Sequence, residues 1–182
     1  KSHKQREINR YARKKSRNEL VAIVGYTNAG KTTLFNKLTE SNQKAEDQLF
    51  ATLDSVTRKN KNPIHGPVLF SDTVGFISEL PTQLIESFKA TLDELKSADM
   101  LLHVVDISDQ DYKAKIDQVN IILEDLGVTE IPTLIVNNKC DAINSSNLKE
   151  LKKKKNDEIF ISAENDNNFS ELRLQIYKQL FN

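Results

Sequence analysis

Cysteine occurs once in the 182 residues, at Cys140, which excludes an internal disulfide and suits a reducing compartment such as the cytoplasm. Histidine is scarce: His3, His65 and His103 stand at no spacing that would gather a metal. No apolar run approaches the roughly 18 residues that a membrane span needs, and no signal-peptide pattern is visible. Net charge is lacking too. The 26 basic and 26 acidic residues cancel, so no global field argues for nucleic acid or a membrane surface. Methionine is confined to Met100 and the chain starts at Lys1, so it reads as a piece of a longer protein, long enough for one domain with a sizeable core.

Charge is unevenly spread even though it sums to zero. Between Lys1 and Asn18 there are eight Lys or Arg against Glu7 alone. That stretch has no Gly or Pro and carries Ile8 and Tyr11 three apart, so it reads as a basic helix with a thin apolar stripe. Two readings stand for it, a solvated linker helix or one that contacts RNA. The division is therefore residues 1–18 as the end of a basic helical linker and 19–182 as a single domain.

Glycine is sparse, and what there is falls at informative places. Gly25-Tyr26-Thr27-Asn28-Ala29-Gly30-Lys31-Thr32 matches G-x-x-x-x-G-K-[ST] without a gap, and Thr33 follows it. The apolar run Leu20–Val24 before it reads as a strand buried on both faces, and Leu34 and Leu38 after it as a helix running to about Thr39. Strand, glycine loop and helix in that order suit phosphate binding. Backbone N–H groups curl around the anion and the helix N-terminus adds its positive end. Lys31 would reach the terminal phosphates and the Thr32 hydroxyl would ligate Mg²⁺.

Beyond the loop, strands and helices alternate. Residues 40–58 are polar and irregular, too long for a plain connection, with the apolar Leu49–Asp54 inside them. Arg58–Ile64 and Val68–Ser71 flank His65-Gly66-Pro67 as a hairpin, which places one antiparallel strand at a sheet edge. Helices are expected over Pro81–Lys96, Lys113–Leu126 (with Gly127 as C-cap), Asn147–Lys155 and Phe169–Phe181. Strands are expected over Met100–Val105, Thr133–Val136 and Ile159–Ile161. The fold class is α/β: a phosphate-loop nucleotide-binding domain whose mostly parallel, six-stranded sheet has one antiparallel edge strand and helices on both faces.

Three further segments fall where a nucleotide hydrolase needs them. Asp72-Thr73-Val74-Gly75 ends the second hairpin arm; its carboxylate can hold Mg²⁺ through water, and its glycine N–H can approach a γ-phosphate. Asn138-Lys139-Cys140-Asp141 follows a buried strand, 107 positions after Lys31. Guanine offers N1–H and N2–H₂ side by side to a carboxylate such as Asp141, whereas adenine would face it with a lone pair. Such pairing rejects the wrong base by about 10⁴-fold. Asn138, Lys139 and Asp141 would read the base, Lys139 by laying its aliphatic stem over it. Ser162-Ala163, after another strand, would bring a backbone N–H to the base O6. Cys140 is the variable position within its motif, and Lys152–Lys155 reads as a solvated helix face.

In this order the motifs resemble the G domain of translation-factor-type GTPases. More narrowly, Gly25–Asn36, Phe50-Ala51-Thr52-Leu53-Asp54 and Asp72–Ile77 resemble the HflX family of ribosome-associated GTPases, over roughly Leu20–Asn182. The resemblance implies GTP hydrolysed to GDP with Mg²⁺ and a ribosomal partner, chiefly the large subunit. It implies that Phe50 and Ala51 take part in nucleotide binding and assigns Thr52 as the loop threonine that ligates Mg²⁺ in the GTP state. Thr57 is its rival by position. Lys31, Thr52 and Gly75 form the catalytic set. HflX proteins have an N-terminal domain that this sequence lacks, and Thr32 stands where the family usually has Ser. Phe76 occupies the place where many GTPases carry a water-orienting Gln, so catalysis would lean on positioning and Mg²⁺. Against this stand an ATP-using phosphate-loop enzyme, which Asp141 disfavours, and an RNA-binding module with a vestigial nucleotide site, which Lys31, Thr32 and Asp72 disfavour.

Overall fold

A computed structural model describes residues 18–41, 56–60, 67–73, 75 and 93–181. Strand β1 (Glu19–Gly25) sends Val21 and Ile23 to one face of the sheet and Leu20, Ala22 and Val24 to the other, and all five are buried. That is why its sequence is uniformly apolar rather than alternating. Helix α1 (Lys31–Thr39) follows, then β2 (Val56–Asn60) and β3 (Val68–Asp72). After them come β4 (Met100–Asp106), α2 (Tyr112–Asp125), β5 (Thr133–Asn138), α3 (Ser145–Lys154), β6 (Ile159–Phe160) and α4 (Phe169–Phe181).

The sheet order is β2-β3-β1-β4-β5-β6. Only the β2–β3 pair is antiparallel, with Asn60 opposite Val68 and Val56 opposite Asp72; the other four pairs are parallel. The expected sheet, with its antiparallel edge, is what forms. One face packs against α1 and α4 through Leu34, Phe35, Leu38, Phe169, Leu172 and Ile176. The other face packs against α2 through Val119 and Leu123 and against α3 through Leu148 and Leu151. Each fully buried Leu or Phe in these layers contributes about 1.5–3 kcal/mol.

Several boundaries differ from the sequence expectation for identifiable reasons. The first hairpin strand starts at Val56 rather than Arg58, because the ladder with β3 continues to Asp72; the turn at residues 61–66 lies outside the described residues. Of the helix expected over Pro81–Lys96, residues 81–92 also lie outside them, and Asp93–Ser97 is a 3₁₀ turn. Tightening there lets Asp99 meet β1: its N–H donates to Leu20 O at 2.8 Å and its Oδ2 accepts from Leu20 N at 2.9 Å. Helix α3 begins two residues earlier than expected because Asn144 caps it, accepting from Asn147 N at 2.9 Å. Helix α2 ends near Gly127, which has φ 66°, and α4 spans the residues its four-residue apolar spacing marks.

Candidate functional site

The site lies at the carboxyl ends of the parallel strands, where an α/β sheet presents its loops. The phosphate loop turns from β1 into α1. Gly30, at φ 94°, is the N-cap residue; no side chain caps the helix and no acidic residue sits in its first turn. An uncapped N-terminus of nine helical residues leaves N–H groups and the positive end of the dipole facing the loop. A Cβ at Gly30 would lie 2.2 Å from Asn138 Nδ2, so close approach of the two motifs requires glycine there.

Lys31 is 7% exposed, and its Nζ donates to Tyr26 O at 3.0 Å across the loop. Burial lowers its pKa to about 8, with the Asp72 carboxylate pulling it back up. A cation held dry in this way gains most from an arriving phosphate. Thr32 Oγ1 donates to Asp72 Oδ2 at 2.7 Å, which sets a hydroxyl and a buried carboxylate side by side: hard oxygen donors of the kind Mg²⁺ takes. Thr73 fixes the strand end by donating to Ile23 O at 2.6 Å. Gly75 brings the D-x-x-G backbone onto the loop. A Cβ there would lie 2.9 Å from Thr27 Cα and 3.0 Å from Lys31 Nζ.

The far end of the site is built on β5. Asn138 is 2% exposed and both ends of its amide are engaged. Nδ2 donates to Ala29 O at 2.9 Å and Oδ1 accepts from Ala163 N at 2.9 Å. The sequence reading gave Asn138 to the base and the Ala163 N–H to the base O6. In the structure they bond to each other, and the asparagine ties the phosphate loop to the Ser162-Ala163 turn with one of its two amide N–H donors and one of its two oxygen lone pairs. Ser162 supports that turn through its Oγ, which accepts from Asn165 N at 3.3 Å, and through its bridge to Asn167. Lys139 follows in the left-handed region, φ 63°, and its Nζ pairs with Asp106 Oδ2 at 2.7 Å. Asp141 is exposed on the 3₁₀ turn Cys140–Ala142.

Phe50, Ala51, Thr52, Val74 and Phe76 lie outside the described residues, as does the basic segment 1–17. Thr57, the positional rival of Thr52, is an exposed residue of β2 and pairs with Ser71. Directly paired residues of adjacent strands share a face and successive residues alternate, so Thr57 lies on the sheet face opposite Asp72. Tyr26, Thr27 and Asn28, with Asn28 at φ 60°, form the tip of the loop. They line a cavity of about 180 Å³ shared with α2, over which Lys115 Nζ lies 4.8 Å from the Tyr26 ring centroid. His103, left structural by the sequence reading, is buried in β4 on that cavity, with a pKa lowered to about 4 chiefly by burial. Sequence reasoning missed Asp106. Its only signal was an acid closing the apolar run of β4, and its partner stands 33 positions away in the chain.

The family model described as a 50S ribosome-binding GTPase matches residues 20–139. The chain belongs to that family, in its HflX branch. The GTPase HflX of Caldanaerobacter subterraneus subsp. tengcongensis is 46% identical over 178 residues, covering 98% of this chain and 40% of that protein. That of Escherichia coli K12 is 49% identical over 140 residues, 77% of this chain and 33% of that one. A GTP-binding protein from Sulfolobus solfataricus, solved in complex with GDP, superposes with a TM-score of 0.69 at 30% identity over 97% of this chain and 58% of its own. The chain thus spans about a third to two fifths of the length of these curated relatives. Among the described residues no helix is long and apolar enough to cross a membrane.

Proposed function

We propose that residues 19–182 bind guanine nucleotide and hydrolyse GTP to GDP and phosphate with Mg²⁺, as a ribosome-associated switch of the cytoplasm. One observation carries the reading. Asn138 ties Ala29 of the phosphate loop to Ala163, so phosphate and base motifs form one rigid cleft. Within it the loop N–H groups and Lys31 hold the phosphates, and Asp141 accepts from the guanine N1–H and N2–H₂. Thr32 and Asp72 suit the metal, Thr32 directly and Asp72 through water, and Thr52 completes its ligands in the GTP state. The placement of Thr57 on the opposite sheet face supports Thr52 over it. Mg²⁺ supplies neutralisation of the charge that develops on the phosphate oxygens. The chain's own part is positioning. Lys31 faces the terminal phosphate and Gly75 brings a backbone N–H beside it. The large ribosomal subunit is the partner we favour, on the matched family's description and the basic segment 1–17.

Titration with GDP and ADP tests the reading. GDP should bind at least about 100-fold more tightly than ADP. Asp141→Asn should weaken GDP and favour xanthosine diphosphate, whose C2 carbonyl accepts from the new amide. Equal affinities for ADP and GDP would end the guanine assignment. Addition of large ribosomal subunits should raise the GTP turnover of the same preparation.

A further inference from the structure

We infer that Asp106 is a positioning residue for base binding: it holds Lys139 closed along the base cleft through a relay that begins at Ser108. The inference rests on the guanine-nucleotide reading and goes beyond it by naming what fixes the lysine. Asp106 is the last residue of β4 and stands in register with Asn138, the last residue of β5. Its two carboxylate oxygens have separate tasks. Oδ1 accepts from both Ser108 N, at 3.0 Å, and Ser108 Oγ, at 2.5 Å, while Oδ2 faces Lys139 Nζ at 2.7 Å. The backbone repeats the tie, since Ile107 N donates to Asn138 O at 3.2 Å. Two bonds from Ser108 therefore aim the carboxylate before any nucleotide is present.

The lysine itself needs such an anchor. Its backbone is held in the left-handed region, φ 63°, with Ala142 N donating to Lys139 O at 3.0 Å and Cys140 N to Ile161 O at 3.1 Å. Its side chain is 39% exposed, while that of Asp106 is 21% exposed. A lysine left free in water has several rotors to freeze when it closes over a base. Anchored at its ammonium, it presents its aliphatic stem with that ordering already done, which is preorganisation for an apolar ring face. On this inference Asp106 acts through Lys139, the cation that its Oδ2 faces.

Calorimetric titration of the 182-residue chain tests this with GDP and with ribose 5-diphosphate, which has no base. Asp106→Asn keeps an oxygen for Ser108 and removes the charge facing Lys139. It should weaken GDP about tenfold, or about 1.4 kcal/mol, and leave ribose 5-diphosphate within about twofold. In a Lys139→Met background, which keeps the stem and loses the ammonium, the same substitution should cost less than about twofold. Ser108→Ala, a milder change, should weaken GDP about threefold with the same selectivity for the base. Equal loss with both ligands, an undiminished loss in the Lys139→Met background, or GDP affinity unchanged in Asp106→Asn would each overturn the inference. Failure of the unaltered chain to bind GDP would instead overturn the nucleotide reading beneath it.

Discussion

Asn138→Ala removes the strut that joins the two halves of the cleft, and its cost follows from the two bonds it makes. The side chain is 2% exposed and both bonds are 2.9 Å long. Truncation leaves Ala29 O and Ala163 N, each in a residue that is itself 2% exposed, without this partner. Leaving a buried polar group unsatisfied costs about 1–3 kcal/mol. Two such groups, with partial rescue by water entering the space, give a loss of about 3 kcal/mol against the roughly 5–15 kcal/mol that a domain has in total. In a chain this size, each kcal/mol is worth about 2–4 °C, so the melting temperature should fall by about 6–12 °C.

Thermal unfolding without nucleotide, followed by circular dichroism, gives that number directly. Asn138→Asp sharpens the test: the carboxylate can still accept from Ala163 N but, when ionised, has nothing to donate to Ala29 O. It should therefore be at least as destabilising at neutral pH, and should recover part of the loss as the pH falls and the group takes up a proton. A drop of less than about 2 °C for Asn138→Ala would refute the strut. So would an unchanged melting temperature paired with a large loss of GDP affinity.

Lys31 gives a pH dependence of definite sign. Its pKa is lowered from 10.5 to about 8, so between those values the unfolded chain holds more protons than the folded one. Stability contributed by this group is therefore lowest below pH 8 and should rise, by an amount of order 3 kcal/mol, as the pH climbs towards 10.5. Bound phosphate favours the protonated amine, so nucleotide binding should take up a proton above pH 8, and GDP should bind about eightfold more weakly at pH 9 than at pH 7.5. Calorimetry in two buffers of different ionisation enthalpy measures the uptake; none at pH 8.5 would refute the assignment. Gly30→Ala should destabilise the fold by displacing Asn138, whose Nδ2 would lie 2.2 Å from the new methyl. Combined with Asn138→Ala it should cost clearly less than the two separate losses together, and strict additivity by denaturant unfolding would contradict the contact.

Much of the fold was legible because its signals are local. The uniform apolarity of Leu20–Val24 and the run Met100–Val105, apolar but for His103, mark strands covered on both faces, and the helix formers and four-residue spacing at Phe169–Phe181 mark α4. Where boundaries slipped, a distant partner set them. Between the 3₁₀ turn and β4, Asp99 reaches Leu20, a tie across 79 positions that no window could contain. Strand β2 begins where its ladder with β3 does, and nothing in Val56-Thr57 alone announces that.

The candidate site divides in the same way. Phosphate-loop residues are contiguous, so spacing reveals them; the chemistry of Lys31 and Thr32 follows from the motif and the structure only adds how dry they are. Asn138 and Asp106 are different. Both close an apolar strand, and sequence gives each a carboxamide or carboxylate at the cleft without saying which way it turns. Their roles depend on β1, β4 and β5 being adjacent: that adjacency brings Ala29 under one and places Lys139 beside the other. A polar residue at the end of a buried strand therefore cannot be assigned to ligand from its motif alone. In a parallel sheet the neighbouring loops compete for it, and at Asn138 they have claimed both ends of the amide.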